Sequence, residues 1–147
     1  MYILIQMRSD SSRLPGKWME MIGDKPLWRH CYDSCAGTSI PVVVVCPDDD
    51  AAVIGEMDAN NILCIPGPKD DVLERYRRAM KKLNSGRIIR ITGDCPFPNV
   101  PLIRYMAQSA DDLKLDVLTN AHPKTRTSID GEDVEIVCPP PAALDPE

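Results

Sequence analysis

Two short segments hold residues whose types and spacing could do chemistry on phosphates. The first, Arg8-Ser9-Asp10-Ser11-Ser12-Arg13-Leu14-Pro15-Gly16-Lys17, sets three fixed cations among small residues whose backbone N–H groups can turn into a cavity. Together, such cations and donors can replace the water around the oxygens of a polyphosphate. The Walker spacing is absent, so this is not a P-loop, and the alternative is a solvated basic loop. The second, Arg90-Ile91-Thr92-Gly93-Asp94-Cys95-Pro96, puts a carboxylate just past an apolar run, between a glycine and a proline turn. An Asp there can ligate a Mg²⁺ ion that bridges substrate phosphates, because Mg²⁺ keeps several waters and needs few protein oxygens. The alternative is an Asp that only caps the turn. Neither histidine suggests nucleophilic catalysis: His30 falls in a helix-like stretch and His122 in a loop, with no Ser-His-Asp or Cys-His arrangement around them.

Elements of the right kind stand ready to position both segments. Tyr2 to Ile5, Val42 to Val45, Ile62 to Ile65, Arg87 to Ile91 and Asp116 to Leu118 are β-branched or apolar runs that predict strands. Between them, Leu27 to Ala36, Asp49 to Met57, Asp71 to Leu83 and Val100 to Leu113 carry helical spacing, with Asp71 and Asn99 as N-caps and Asn84-Ser85-Gly86 as a stop. This alternation predicts an α/β fold with a mostly parallel sheet and flanking helices. Both chemical segments then follow strands, at the carboxyl edge where ligands of open α/β sheets bind. The domain is expected to span residues 1–138, with 139–147 as an irregular proline-rich tail.

Composition narrows the class further. In 147 residues, 44% are apolar and 27% charged, which is ordinary for a folded globular chain. A net charge of -5 argues against a general nucleic-acid partner, so any anion site must be local. The longest apolar runs fall far short of the roughly 18 residues a membrane span needs, so no membrane partner and a cytoplasmic protein are expected. The six cysteines (Cys31, Cys35, Cys46, Cys64, Cys95 and Cys138) lack both a disulfide framework and a zinc spacing, and read as reduced, mostly buried thiols.

Taken together, Ile5-Gln6, Arg8, Ser11 to Lys17, Gly67 with Asp70 to Tyr76, Arg90 to Pro96, and Asn120 with Asp130-Gly131 and Asp133-Val134-Glu135 resemble the cytidylyltransferase family. That family includes the spore-coat polysaccharide enzymes and the acylneuraminate and ketodeoxyoctonate cytidylyltransferases. The resemblance implies a GT-A-like, Rossmann-like nucleotidyltransferase fold, CTP as donor, Mg²⁺ as cofactor, and a sugar or sugar acid as acceptor in surface polysaccharide biosynthesis. It further implies that Arg8 and Lys17 grip the triphosphate, that Ser11, Ser12 and Arg13 shape its loop, and that Asp94 holds the metal. Asp71 would border the nucleotide, and Asp130, Asp133 and Glu135 would face the acceptor. For Asp71 an N-cap is the competing role, and for the acidic trio a solvated hairpin turning at Asp130-Gly131.

Three departures from the family pattern carry expectations. Asp10 stands where the family has glycine and brings a like charge into a phosphate loop, so its removal is expected to tighten nucleotide binding. The family continues past Asp133-Val134-Glu135 to a second acidic metal ligand and to dimerising helices, whereas here prolines follow. That difference predicts an exposed apolar face and a homo-oligomer, and keeps open an inactive relative acting as a nucleotide-, sugar- or protein-binding module. Ser128-Ile129 and Glu132 replace the tyrosine-proline and leucine that flank Asp-Gly in the family, which leaves the acceptor open.

Overall fold

The computed structural model describes residues 1–11, 14–120, 127–129 and 132–134, the last two stretches as backbone only. The chain divides into two compact units, Met1–Pro101 and Leu102–Glu147. In the first, β1 (Tyr2–Gln6) leads through a 3-10 turn (Lys17–Met19) into a short hairpin, β2 (Met21–Ile22) and β3 (Lys25–Pro26). Then follow α1 (Leu27–Ala36), β4 (Val42–Pro47), α2 (Ala51–Ala59), β5 (Cys64–Gly67), α3 (Val72–Lys82) and β6 (Ile88–Thr92). The helix α4 (Val100–Asp112) comes next, and the second unit also holds the antiparallel pair β7 (Thr127–Ile129) and β8 (Glu132–Val134).

The four long strands of the first unit form one parallel sheet in the order β5-β4-β1-β6. The central strand explains its own sequence: Ile3, Leu4 and Ile5 are all fully buried, as expected where both faces of a parallel sheet are covered. On one face, Leu4, Val43, Val45 and Ile65 pack with Tyr76 and Ala79 of α3. Each of the Leu, Val and Ile side chains contributes about 1.5–3 kcal/mol by leaving water. From β1 the chain builds outward to β4 and β5, then returns to place β6 on the opposite side of β1. That reversal opens a crevice at the carboxyl ends of β1 and β6, the place where doubly wound sheets take ligands.

Local chemistry sets the helix ends. The Asp50 carboxylate accepts from Val53 N at 3.2 Å and begins α2. Asp71 accepts from Glu74 N at 2.8 Å and begins α3, as its spacing predicts. After α3 the chain turns through Asn84 at φ 48, and Ser85 N donates to Met80 O at 3.0 Å. The strand expected at Asp116 to Leu118 is not formed: these residues carry no ladder, and Val117 is half-exposed. A strand exists only by pairing, and these residues pair with no strand among the described ones. The third strand starts at Cys64 instead of Ile62 because the N–H of Ile62 closes α2 onto Met57 O at 2.9 Å. The β2–β3 hairpin was not expected; strands of two residues are too short to show periodicity. The expected boundary at 138/139 lies outside the described residues.

Candidate functional site

A cleft of about 310 Å³ opens at the crevice between β1 and β6. Its walls come from the loop after β1, with Met7, Arg8, Ser11, Lys17 and the buried Trp18, and from the end of β6, with Thr92, Gly93 and Asp94. The ammonium of Lys17 donates to Asp94 Oδ2 at 2.7 Å across 77 residues of sequence. Gly93 is required for this approach. A Cβ on it would stand 2.4 Å from Met7 Cγ and 3.0 Å from Gln6 O, and its N–H donates to that carbonyl at 2.8 Å.

The hydrogen bond from Lys17, aided by one from Thr92, holds the Asp94 carboxyl below the usual carboxylate range. A carboxylate depressed in the folded state stabilises it above the unfolded pKa, near 3.8, and loses that contribution only as pH falls through its own lower value. The Lys17–Asp94 contact is therefore expected to persist throughout the neutral and mildly acidic range. A carboxyl-carbon NMR titration should give Asp94 a midpoint below 3.8 in the intact protein and a higher one once Lys17 is alanine.

The cationic loop is tied down at both ends. At its start, Ser9 donates through N to Asp50 Oδ2 at 2.7 Å and through Oγ to Asp50 Oδ1 at 2.8 Å. At its end, Gly16 takes φ 76, a left-handed turn that favours glycine, and leads directly into Lys17. Asp50 is buried and serves both the loop and the start of α2. Asp50→Ala is expected to cost about 2–3 kcal/mol in chemical denaturation, the sum of a lost cap and lost charge-assisted bonds. It should also loosen Arg8 and Ser11 relative to Asp94.

Asp10 does not line this cleft. Its carboxylate pairs with Lys69 Nζ at 3.0 Å, and Lys69 also meets Asp49 Oδ2 at 3.2 Å. The bond from Lys69 holds the Asp10 carboxyl below its ordinary value. Lys69 is held in turn from below: Arg75, only 2% exposed, donates to Pro68 O at 3.2 and 2.8 Å and to Lys69 O at 2.8 Å. Gly67 lets α3 come this close, since a Cβ there would lie 3.0 Å from Arg75 Cγ and 3.1 Å from its Cα. The charge of Asp10 is thus answered by Lys69 and turned from the cleft. Asp10→Gly, expected from sequence to tighten nucleotide binding, should instead change CTP affinity by less than about twofold, the scale of a screened, exposed pair.

The structure brings Arg8, Ser11, Lys17 and Asp94 together. Asp71 stands apart from them at the start of α3, with its carboxylate used as the cap. Ser12, Arg13, Asp130 and Glu135 lie outside the described residues, as do His122 and Cys138. Asp133 sits in β8, paired in register with Ser128 of the antiparallel β7. His30 is structural: its Nε2 meets Ile22 O at 2.7 Å and its ring lies 5.3 Å from that of Phe97. Five cysteines are described, all as free thiols, and Cys95 in the Asp94 loop is exposed. Trp18, Asp50 and Lys69 were missed. For Asp50 a signal existed, a cap residue just before an Ala-Ala helix start; Lys69 and Trp18 act through long-range contacts that spacing does not carry.

Comparison with known proteins agrees with this geometry. The family described as Cytidylyltransferase matches residues 2–134. A 3-deoxy-manno-octulosonate cytidylyltransferase from Hydrogenovibrio crunogenus is 31% identical over 103 residues, covering 67% of this chain and 42% of that protein. The structure of a cytidylyltransferase from Leptospira borgpetersenii superposes with a TM-score of 0.75 at 28% identity, over 90% of this chain and 57% of that one. A CMP:2-keto-3-deoxy-manno-octonic acid synthetase complexed with CTP gives a TM-score of 0.68 at 26% identity, over 78% and 48%. The chain spans about half the length of the relatives it matches. With a nucleotidyltransferase-type parallel sheet, a cationic loop after β1 facing an Asp after β6, and a family match over most of its length, the chain belongs to the cytidylyltransferase family.

Proposed function

We propose that this chain carries the nucleotide end of a cytidylyl transfer: an acceptor oxygen of a sugar or sugar acid attacks the α-phosphorus of CTP, a CMP-sugar forms and pyrophosphate leaves. The observation that carries the reading is the 2.7 Å contact between Lys17 and Asp94, which couples the cationic loop to the carboxylate at one cleft. A triphosphate would compete with Asp94 for the ammonium, and Arg8 would add a second fixed charge. Ser11, Ser12 and Arg13 would shape the loop around the phosphates, and Asp71 would act through the helix it caps. Asp130, Asp133 and Glu135 would meet the acceptor. Attack at phosphorus needs no protein nucleophile, so the protein's share is orientation and neutralisation of growing negative charge.

Mg²⁺ fits the donor set. Asp94 is an ionised, half-exposed carboxylate beside the phosphate loop, and Mg²⁺ is commonly held by one or two carboxylates together with substrate phosphates and water. Among the described residues no group of three or more His, Cys, Asp or Glu side chains gathers to cage a metal, so the phosphates would complete the shell. When bound, the ion would neutralise charge on the phosphates and on the leaving pyrophosphate.

Pyrophosphate release with CTP and a panel of sugar acids tests the reading. Release that requires Asp94 and a sugar acid supports it. CTP binding with no release from any acceptor would favour a binding module instead. The homo-oligomer, the cytoplasmic location and a role in surface polysaccharide synthesis belong to the same proposal. Among the described residues no helix is long and apolar enough to cross a membrane.

A further inference from the structure

Gln6 is the last residue of β1, held in register between Val45 of β4 and Thr92 of β6. Its carbonyl accepts from Gly93, so its backbone is fixed on both sides, and Gln6 is one of the residues that line the cleft. Two donors converge on one end of that side chain: the Tyr76 hydroxyl lies 3.1 Å and Arg90 Nη2 3.4 Å from Oε1. A guanidinium has no acceptor, so the end of the carboxamide facing Arg90 has to be the oxygen. Burial holds the Tyr76 hydroxyl above its ordinary pKa, which keeps its proton available to donate. Nε2 with its two N–H bonds is therefore the other end, and it makes no hydrogen bond among the described residues.

We infer that Gln6 is a substrate-contacting residue: its Nε2, oriented by Tyr76 and Arg90, donates to an acceptor oxygen of the nucleotide held in the Arg8–Lys17–Asp94 cleft. The inference rests on the nucleotide reading of that cleft. Arg8 and Lys17 provide charge, which pulls on any anion, whereas a locked neutral donor adds direction and so selects a pose. The acceptor oxygen can belong to the nucleoside or to a phosphate.

The variant that isolates this role is Gln6→Glu. It keeps an oxygen for Tyr76 and Arg90, and so keeps the fold, but turns a second, anionic oxygen toward the cleft where a donor had been. Isothermal titration with CTP and Mg²⁺ should show affinity falling at least about tenfold for Gln6→Glu and about 2- to 10-fold for Gln6→Met, the range of one hydrogen bond, with an unchanged thermal midpoint for Gln6→Glu. Tyr76→Phe should weaken binding when Gln6 is present and add no further loss in the Gln6→Met background, a coupling that a merely structural tyrosine would not give. Cytidine and pyrophosphate as separate probes locate the acceptor: loss with cytidine alone points to the nucleoside, loss with pyrophosphate alone to the phosphates. If wild type binds CTP and Lys17→Ala weakens it, while both Gln6 variants bind as wild type, the Gln6 inference is overturned and the nucleotide site stands. A wild type that binds no CTP overturns both.

Discussion

Replacing Lys17 by alanine is expected to weaken CTP binding about 10- to 150-fold, from the roughly 1.5–3 kcal/mol that a charge-assisted hydrogen bond contributes. Lys17 follows Gly16, whose left-handed φ directs the chain into the turn, and its ammonium already meets the carboxylate across the cleft at 2.7 Å. The pair is about a third to a half exposed, so its loss should cost the fold little. Binding should collapse while the denaturation midpoint barely moves. Arg8→Ala should follow the same pattern, and Asp94→Ala should chiefly remove the Mg²⁺ dependence of binding. Calorimetry beside a urea melt separates these effects; a Lys17→Ala protein that is equally stable and binds CTP as tightly as wild type would remove Lys17 from the site.

The largest expected effect on stability belongs to Arg75, far from the chemistry. Arg75→Ala should lower the unfolding free energy by about 3–5 kcal/mol, because truncating a buried long side chain leaves a cavity and strips three hydrogen bonds from two carbonyls. Against the 5–15 kcal/mol typical of a whole domain, that leaves a marginal protein. Arg75→Met should recover part of the loss by filling the volume, though not the bonds to Pro68 and Lys69. Urea denaturation at neutral pH measures both. If Arg75→Ala melts within about 1 kcal/mol of wild type, burial of Arg75 is not what holds the loop after β5.

The sheet and all four helices were legible because their signals are local. Continuous apolar runs mark strands buried on both faces, as in Ile3 to Ile5, and Asp71 ahead of a helically spaced run marks a capped helix. The convergence of Arg8, Lys17 and Asp94 was legible for a topological reason: each follows a strand, and parallel strands deliver their carboxyl ends to one edge. What spacing could not supply was the set of contacts between distant segments. Asp10 looked like a charge set against phosphates because its partner Lys69 stands 59 positions away, on a loop that Arg75 holds in place. Asp50 looked like one acid in a run of three, yet it alone of them is buried and grips Ser9. Asp116 to Leu118 failed the other way: a β-like triplet has no strand without a partner.

The central claim is that the Arg8–Lys17–Asp94 cleft binds a cytidine triphosphate. Isothermal titration of the wild-type chain with CTP in the presence of Mg²⁺ tests it most directly, with ATP, GTP and UTP in parallel and Lys17→Ala as control. The account predicts saturable one-site CTP binding, tighter than for the other three nucleotides and weakened at least about tenfold in the control. Absence of CTP binding at millimolar nucleotide, with the protein folded and Mg²⁺ present, would contradict it.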